Sequence, residues 1–358
     1  MGLAVVSGAP AAGAAPAGPT VAVPAVTGPF TPGREILHLV DRGRPDPWVA
    51  GHFRELMVSV YYPARRGTGI PARYAGTAET RALLDFQGLS AVIPPEVLSE
   101  ATTNARVGAV PVPGRHPLVL LSPGSTAPRY TLTALAEDLA SRGYVVAAID
   151  HAYEAAGAAF PSGVLPCPAC DPDADPDGVR TTTGRAADVS FVLDQLLGRF
   201  ARMIDPRRVG MAGHSLGGAS AVPAMAADPR IRAGADLDGG LHPQVPPTGL
   251  DGRPFLLLGN QDHVPGGADP SWDVAWQRLD GPRLWLTVTG AGHLDFSDFA
   301  FIAAELGLPT GGPLAGERTI AITRAYLAAF FDQYLKHRPQ PILTGPSARF
   351  PEVVYQRP

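Results

Sequence analysis

The feature that most constrains the fold of this chain is a short glycine-rich motif in its second half. The sequence GHSLG at residues 213–217 follows an apolar run at 208–212 and precedes a run of small residues at 218–222. A buried strand, a sharp turn and a helix in this order are typical of a nucleophile elbow, which lifts a serine hydroxyl above a sheet. The two glycines suit such a turn because the strand and helix backbones approach too closely for a Cβ atom. Ser215 is therefore the predicted nucleophile.

Apolar runs alternate with segments of helical periodicity along most of the chain. Runs that predict strands lie at 35–40, 55–61, 117–121, 144–149, 231–237, 254–258 and 284–288. Helices are predicted near 132–139, 189–200 and 320–334. The first two runs are expected to pair as edge strands, and the continuously apolar third run to be buried on both faces. Strands that alternate with helices predict an α/β protein with a mainly parallel, doubly wound sheet and crossover helices on both faces.

Composition sets the domain organisation and excludes some classes of function. The chain has 358 residues, of which 45% are hydrophobic and 17% charged, enough for one large catalytic domain, which we predict at 31–340. Residues 341–358 are expected to form a C-terminal tail. The net charge of −4 and the lack of a basic stripe exclude a nucleic-acid partner. No apolar run reaches the roughly eighteen residues that a membrane-spanning helix needs.

Residues 1–30 differ in composition from the rest of the chain. They are built almost wholly from Ala, Gly, Pro, Val, Ser and Thr, and no charged side chain precedes Arg34. A truncated secretory signal and a disordered linker both fit this segment, and both place it outside the fold. The first interpretation predicts a secreted protein. In an exported protein, Cys167 and Cys170 are expected to form a local disulfide.

A serine nucleophile needs an imidazole to take its proton and a carboxylate to orient that imidazole. After an elbow the partners follow in the order serine, acid, histidine. His293 satisfies this order, because it lies in a glycine-rich loop directly after the last apolar run. His214 lies inside the elbow and is poorly placed to act as the base of the neighbouring Ser215.

Two aspartates compete for the role of the acid. Asp238 follows the strand after the elbow helix, and Asp262 follows the next strand, where many hydrolases of this kind keep their acid. The order of residues permits both. Asp236 is still inside its strand and is expected to lie lower and further from the site.

Four segments considered together resemble one known family. They are GHSLGG at 213–218, Asp238 soon after the following strand, HLDFSD at 293–298 and the stretch 138–151. This set is similar to the platelet-activating factor acetylhydrolase family of α/β-hydrolases, and the resemblance covers about residues 34–335. It implies an α/β-hydrolase fold and favours Asp238 over Asp262 as the acid.

The resemblance also implies how the reaction would run. The backbone N–H groups of Leu216 and Ser125 are expected to form the oxyanion hole. The family often has Ser-His-Gly where this chain has SPGS at 122–125. That change leaves backbone donors in place but alters the polarity of the pocket.

The predicted function is that of a serine esterase that cleaves short or oxidised acyl esters of phospholipids through an acyl-enzyme. It needs no metal or organic cofactor. Its substrate is a small-molecule or lipid ester, and a lipid substrate implies transient contact with a lipid surface. A broad carboxylesterase or polyester hydrolase is the alternative enzyme, and a non-catalytic binding protein is the alternative of another class. The sequence leaves the oligomeric state open.

Overall fold

The computed structural model of the protein describes residues 20–309 and 311–357. Most of the predicted export signal, residues 1–19, therefore lies outside the described residues. Within the described residues, no helix is long and apolar enough to cross a membrane.

Strands and helices alternate along the described chain. The strands are β1 (Thr31–Pro45), β2 (Phe53–Ala64), β3 (Ile70–Arg73), β4 (Thr102–Val107), β5 (His116–Ser122), β6 (Val145–His151), β7 (Ala159–Phe160), β8 (Gly163–Val164), β9 (Ile204–His214), β10 (Ile231–Leu237), β11 (Phe255–Gly259), β12 (Arg283–Val288) and β13 (Val353–Tyr355). The helices are α1 (Thr77–Phe86), α2 (Pro95–Ser99), α3 (Thr133–Ser141), α4 (Val179–Arg199), α5 (Leu216–Ala219), α6 (Ala221–Ala227), α7 (Ser271–Arg278), α8 (Phe299–Glu305) and α9 (Gly316–Leu335). Single 3₁₀ turns lie at Arg129–Leu132, Pro168–Cys170, His293–Phe296 and Pro341–Leu343.

Eleven of these strands form one sheet in the order β13-β12-β11-β10-β9-β5-β6-β2-β1-β4-β3. The six strands from β12 to β6 run parallel to their neighbours, and β13 and β2 add antiparallel partners on either side. This is the predicted mainly parallel sheet of an α/β-hydrolase, and the fold prediction is confirmed. The predicted pairing of the first two strands is also right, with Glu35 opposite Val60. They are not the edge, because β4 and β3 extend the sheet beyond β1.

The central strands are mainly apolar because both faces of the sheet are covered. In β5, Leu118 and Leu120 belong to one buried cluster, while Val119 and Leu121 belong to the other. This alternation follows from the two-residue period of a strand. Residues of α3 and α9 cover one face, and residues of α4, α6 and α7 cover the other. The parallel strands therefore all end at one protected edge, where the loops of an α/β site meet.

The predicted domain limits of 31–340 are too narrow at both ends. Val21 and Val23 are buried, and the backbone N–H and hydroxyl of Thr27 both donate to Asp138 Oδ1, at 2.8 and 2.7 Å. At the other end, β13 of the predicted tail pairs with β12. Apolar residues in both segments pack on the hydrophobic core, so neither segment as a whole lies outside the fold.

Candidate active site

Ser215 occupies a strained turn between β9 and α5. Its φ of 54° and ψ of −127° are unusual for a residue with a side chain. A Cβ atom on Gly217 would lie 2.0 Å from the carbonyl oxygen of Ser122, so only glycine fits there. The N–H of Ser215 donates to the carbonyl of Leu237 at 2.9 Å, which fixes the turn against β10. The sequence thus folds locally into the elbow that its glycines predict.

His293 lies between Ser215 and Asp238. Its Nε2 is 3.0 Å from Ser215 Oγ, and its Nδ1 is 2.7 Å from Asp238 Oδ2. Since an ionised carboxylate only accepts, Nδ1–H donates to Asp238 and Nε2 is left to accept the proton of the serine. The histidine side chain is 49% exposed, whereas Asp238 is 1% exposed. This geometry can remove a proton from the serine hydroxyl and stabilise the resulting imidazolium.

The acid is held rigidly at the end of β10. Asp238 has a φ of 63°, in the left-handed region, and its Oδ1 accepts the backbone N–H of Asn260 at 2.6 Å. The left-handed turn directs the carboxylate toward the carboxyl edge of the sheet. Neither feature was visible in the sequence, since the partner Asn260 lies on the loop after a different strand.

The other two candidate acids do not contact His293. Asp262 is exposed, and its hydrogen bonds are with Asn260. Asp236 is fully buried, and its Oδ1 accepts the N–H of Gly239 at 3.0 Å. Burial, together with the neighbouring Asp238, raises the pKa of Asp236 well above its ordinary range.

The loop after β5 passes directly beside the nucleophile. A Cβ atom on Gly124 would lie 3.0 Å from His214 Nδ1 and 3.3 Å from Ser215 Cβ. Within the described residues, the N–H groups of Ser125 and Leu216 donate to no protein acceptor. Both predicted oxyanion donors are thus free to bind a substrate oxygen.

His214 has a contact that the sequence analysis missed. Its Nε2 donates to the backbone carbonyl of His293 at 2.7 Å, and the two rings lie 4.8 Å apart. Burial, and then the proximity of His293, lower the pKa of His214 to about 4. A neutral His214 therefore supports the loop of the candidate base. The only signal for this in the sequence was its place beside Ser215.

Hydrogen bonds of Asp298 also hold the loop that carries His293. Asp298 Oδ1 accepts the N–H of Ala134 at 3.1 Å, and Oδ2 accepts the hydroxyl of Tyr74 at 3.0 Å. Asp298 also donates its own N–H to the carbonyl of Thr131 at 2.8 Å. Burial raises the pKa of Asp298 well above its ordinary range. The HLDFSD segment is thereby tied to the start of α3.

An apolar cavity of about 330 Å³ adjoins this loop. Residues of α1, α2, the connection between these two helices and α8 form most of its walls. Leu294, the neighbour of His293, also lines it. In the described residues, no group of three or more His, Cys, Asp or Glu side chains is arranged to hold a metal ion.

A family model described as "Platelet-activating factor acetylhydrolase, isoform II" matches residues 17–162 and 181–336. The chain belongs to the platelet-activating factor acetylhydrolase family. The predicted resemblance is confirmed, and the matched ranges contain Ser215, Asp238 and His293. The unmatched stretch between them contains Cys167 and Cys170, which form a disulfide in this protein.

Three relatives of this acetylhydrolase-family protein carry descriptive names. A "Probable 1-alkyl-2-acetylglycerophosphocholine esterase" of Arthroderma benhamiae is 28% identical, with 93% of each chain covered. A platelet-activating factor acetylhydrolase of Cavia porcellus is 23% identical over 77% of this chain and 72% of that protein. A solved structure of a ferulic acid esterase from Streptomyces cinnamoneus is 41% identical, with a TM-score of 0.84, and the match covers 94% and 99% of the two chains. The protein is a carboxylic ester hydrolase.

Proposed function

We propose that the protein is a serine esterase in which Ser215, His293 and Asp238 form the catalytic triad. The observation that carries this proposal is the position of His293, hydrogen-bonded to Ser215 Oγ on one side and to Asp238 Oδ2 on the other. Ser215 Oγ attacks the ester carbonyl while His293 Nε2 takes its proton. His293 then protonates the leaving alcohol, and the acyl group remains on Ser215. Water releases it by the reverse route, with His293 as the base.

The negative charge that develops on the carbonyl oxygen is bound by the N–H groups of Leu216 and Ser125. In the part of the chain that the structure describes, neither N–H has a protein acceptor, and Gly124 approaches Ser215 closely; both observations support this assignment. Fixed backbone donors need no reorganisation during the reaction, which is why such sites stabilise the transition state strongly.

The proposed substrates are short or oxidised acyl esters of phospholipids, bound in transient contact with a lipid surface. Membership of the acetylhydrolase family and the esterase name of the Arthroderma relative support this class. The apolar cavity beside Leu294 supports a substrate with a hydrocarbon part. A second candidate is a broader carboxylesterase that acts on aromatic esters, which the 41% identity to a ferulic acid esterase favours.

Labelling with a fluorophosphonate tests the triad, and a substrate panel tests the specificity. We expect the wild type to be labelled and to hydrolyse p-nitrophenyl acetate, whereas Ser215→Ala is neither labelled nor active. Unlabelled wild type, or an active Ser215→Ala variant, would contradict a serine esterase mechanism.

Specificity is decided by comparing kcat/KM for a 2-acetyl phospholipid, a 2-palmitoyl phospholipid and methyl ferulate. A clear preference for the 2-acetyl phospholipid supports the proposed class. A higher kcat/KM for methyl ferulate would support the second candidate instead.

We also propose that the protein is exported. The Cys167–Cys170 disulfide supports this, because disulfides persist in oxidising compartments and are rare in the cytosol. Fractionation of the producing cells should recover the active enzyme outside the cytoplasm. Recovery only from the cytosol, with free thiols, would contradict it.

A further inference from the structure

A second serine–histidine–aspartate chain is buried beneath the loop that carries Ser125. Ser122 Oγ lies 3.1 Å from His151 Nε2, and His151 Nδ1 lies 2.7 Å from Asp188 Oδ2. All three residues are at most 1% exposed, so no substrate reaches them. These three hydrogen-bonded residues therefore cannot form a second catalytic centre. Their position suggests a structural role toward the neighbouring loop.

Three arginines compensate the carboxylate charges of this cluster, and one of them, Arg44, contacts Asp188 Oδ1 at 2.7 Å. Arg54 contacts Asp188 at 2.7 Å and also contacts Glu154, while Arg185 Nε donates to Glu154 Oε2 at 2.7 Å. Burial alone would raise the pKa of Glu154, but the attraction of Arg54 and Arg185 lowers it to about 2. The carboxylates stay ionised, and the guanidinium groups are held in fixed orientations.

Arg185 extends from α4 to the loop after β5. Its Nη1 donates to the carbonyl oxygen of Pro123 at 2.5 Å and lies 3.3 Å from Ser122 Oγ. The side chain is 1% exposed. A planar guanidinium that also donates to Glu154 has little freedom to rotate, so the Pro123 carbonyl is held toward the interior.

The orientation of this carbonyl bears on the Ser125 N–H. The peptide unit that contains the Pro123 carbonyl and the next unit, which contains the Ser125 N–H, meet at the Cα of Gly124. Glycine restricts rotation there very little, so the loop needs an external anchor to keep one orientation. On the far side of the loop, Ala156 donates its N–H to the carbonyl of Thr126 at 2.9 Å. The loop is thus held at both flanks, by Arg185 before Gly124 and by Ala156 after it.

We propose that Arg185 is a positioning residue for the oxyanion hole, acting through the Pro123 carbonyl to direct the N–H of Ser125 toward the reacting oxygen. This inference rests on the proposed function, in which Ser125 is one of the two donors. Glu154 and Ser122 contact the guanidinium directly, and His151 and Asp188 hold Ser122 in turn. Arg185 itself touches no substrate.

The test compares Arg185→Lys with Arg253→Lys. Lysine keeps the positive charge but cannot contact Glu154 and the loop in the same planar geometry. Arg253 is a matched control because it is also buried and also donates to backbone carbonyls, those of Leu250 at 2.7 Å and Ile231 at 3.0 Å. It lies near the start of β11, at the end of the parallel strands away from Ser215. Concentrations of active enzyme are set by titration of Ser215 with a fluorophosphonate.

For Arg185→Lys we expect kcat per titrated site to fall about 10- to 100-fold with little change in KM, below the loss of about 10²–10³ that follows complete removal of one oxyanion donor. The affinity for a trifluoromethyl ketone, whose tetrahedral adduct uses the same hole, should fall by a similar factor. Arg253→Lys should keep both values. A merely structural role for Arg185 would lower the yield of titrated sites and the thermal stability but leave both values unchanged.

Unchanged kcat and ketone affinity in Arg185→Lys would overturn the inference. If that variant does not fold, Ser122→Ala decides, since it removes the hydroxyl at the end of β5 that accepts from Arg185 Nη1. A joint loss of about fivefold in kcat and ketone affinity, the size expected for one hydrogen bond, supports the inference, and no loss overturns it. Failure of the proposed function is recognised separately, because the wild type would then not be labelled at Ser215.

Discussion

At the scale of single residues, the site depends on which carboxylate contacts His293. Asp238 and Asp262 follow neighbouring parallel strands, and the chain order admits both. Asp238 contacts His293 at 2.7 Å, whereas Asp262 is bound to Asn260. The order of residues could not separate them, and only the family resemblance favoured Asp238, because the contact depends on the left-handed turn at Asp238.

We therefore predict that Asp238→Asn loses activity and Asp262→Asn does not. An asparagine at position 238 cannot stabilise the imidazolium and favours the wrong tautomer of His293, which lowers kcat by about 10⁴ in comparable triads. Initial rates with p-nitrophenyl acetate measure both variants at equal concentration. A dead Asp262→Asn variant beside an active Asp238→Asn would contradict the assignment.

His214 leads to a second prediction at this scale. His214→Phe keeps an aromatic ring but leaves the partly buried carbonyl of His293 without its donor, at a cost below the roughly 1–3 kcal/mol of a fully buried group. We expect kcat to fall about tenfold or more, because the loop of the base is no longer held. His214→Gln retains an N–H donor and should recover part of the activity. Equal rates for the two variants would show that the hydrogen bond has no role.

At the scale of elements, the sequence predicted the strands better than the helix ends. The apolar runs correspond to β5, β6, β10, β11 and β12, because a strand covered on both faces must be apolar at every position. The helix predicted at 189–200 begins ten residues earlier, at Val179. Its first turns were not predicted because they are rich in threonine and arginine; of these, Thr182 is buried against the carbonyl of His242 and Arg185 against Glu154.

Substitution of two glycines on neighbouring helices by alanine should change the free energy of unfolding in opposite directions. Gly184 is inside α4, and a Cβ atom there meets nothing within 4 Å. Gly184→Ala should therefore raise the free energy of unfolding by about 1 kcal/mol, the difference in helix propensity. Gly217→Ala would place its Cβ 2.0 Å from a backbone oxygen and should destabilise the protein strongly. Urea unfolding measures the free energy of unfolding of both variants. Equal values for the two would contradict the claim that only glycine fits at position 217.

At the scale of the whole molecule, buried neutral histidines make stability depend on pH. The pKa of His214 is lowered to about 4 by burial and by His293, and that of His151 is lowered by burial and by Arg185. Below the ordinary histidine value near 6.5, and down to about pH 4 for His214, these two side chains bind more protons in the unfolded chain than in the folded one. The stabilisation is complete above this window and is lost as the pH falls through it.

We predict that the histidine contribution to the free energy of unfolding decreases from pH 7 to pH 4.5, by up to about 1.4 kcal/mol per pH unit for each histidine involved. His214→Phe removes one of these groups. It should therefore change the slope of the free energy of unfolding against pH by the equivalent of up to one bound proton. Urea unfolding at pH 7, 5.5 and 4.5 measures the slope for wild type and variant. The same slope in both proteins would mean that His214 is not one of the groups responsible.

The sequence by itself determined the elbow at Ser215, the mainly parallel sheet, the family and the place of His293. These depend on local patterns: glycines where two backbones touch, apolar runs where strands are covered, and a loop after a strand. The family resemblance favoured Asp238 over Asp262, but only tertiary structure decided that Asp238 contacts His293, that His214 donates to the carbonyl of His293, and that Arg185 reaches the Pro123 carbonyl. These contacts join residues far apart in the chain. They arise only when the sheet brings its strand ends together, so no local pattern encodes them.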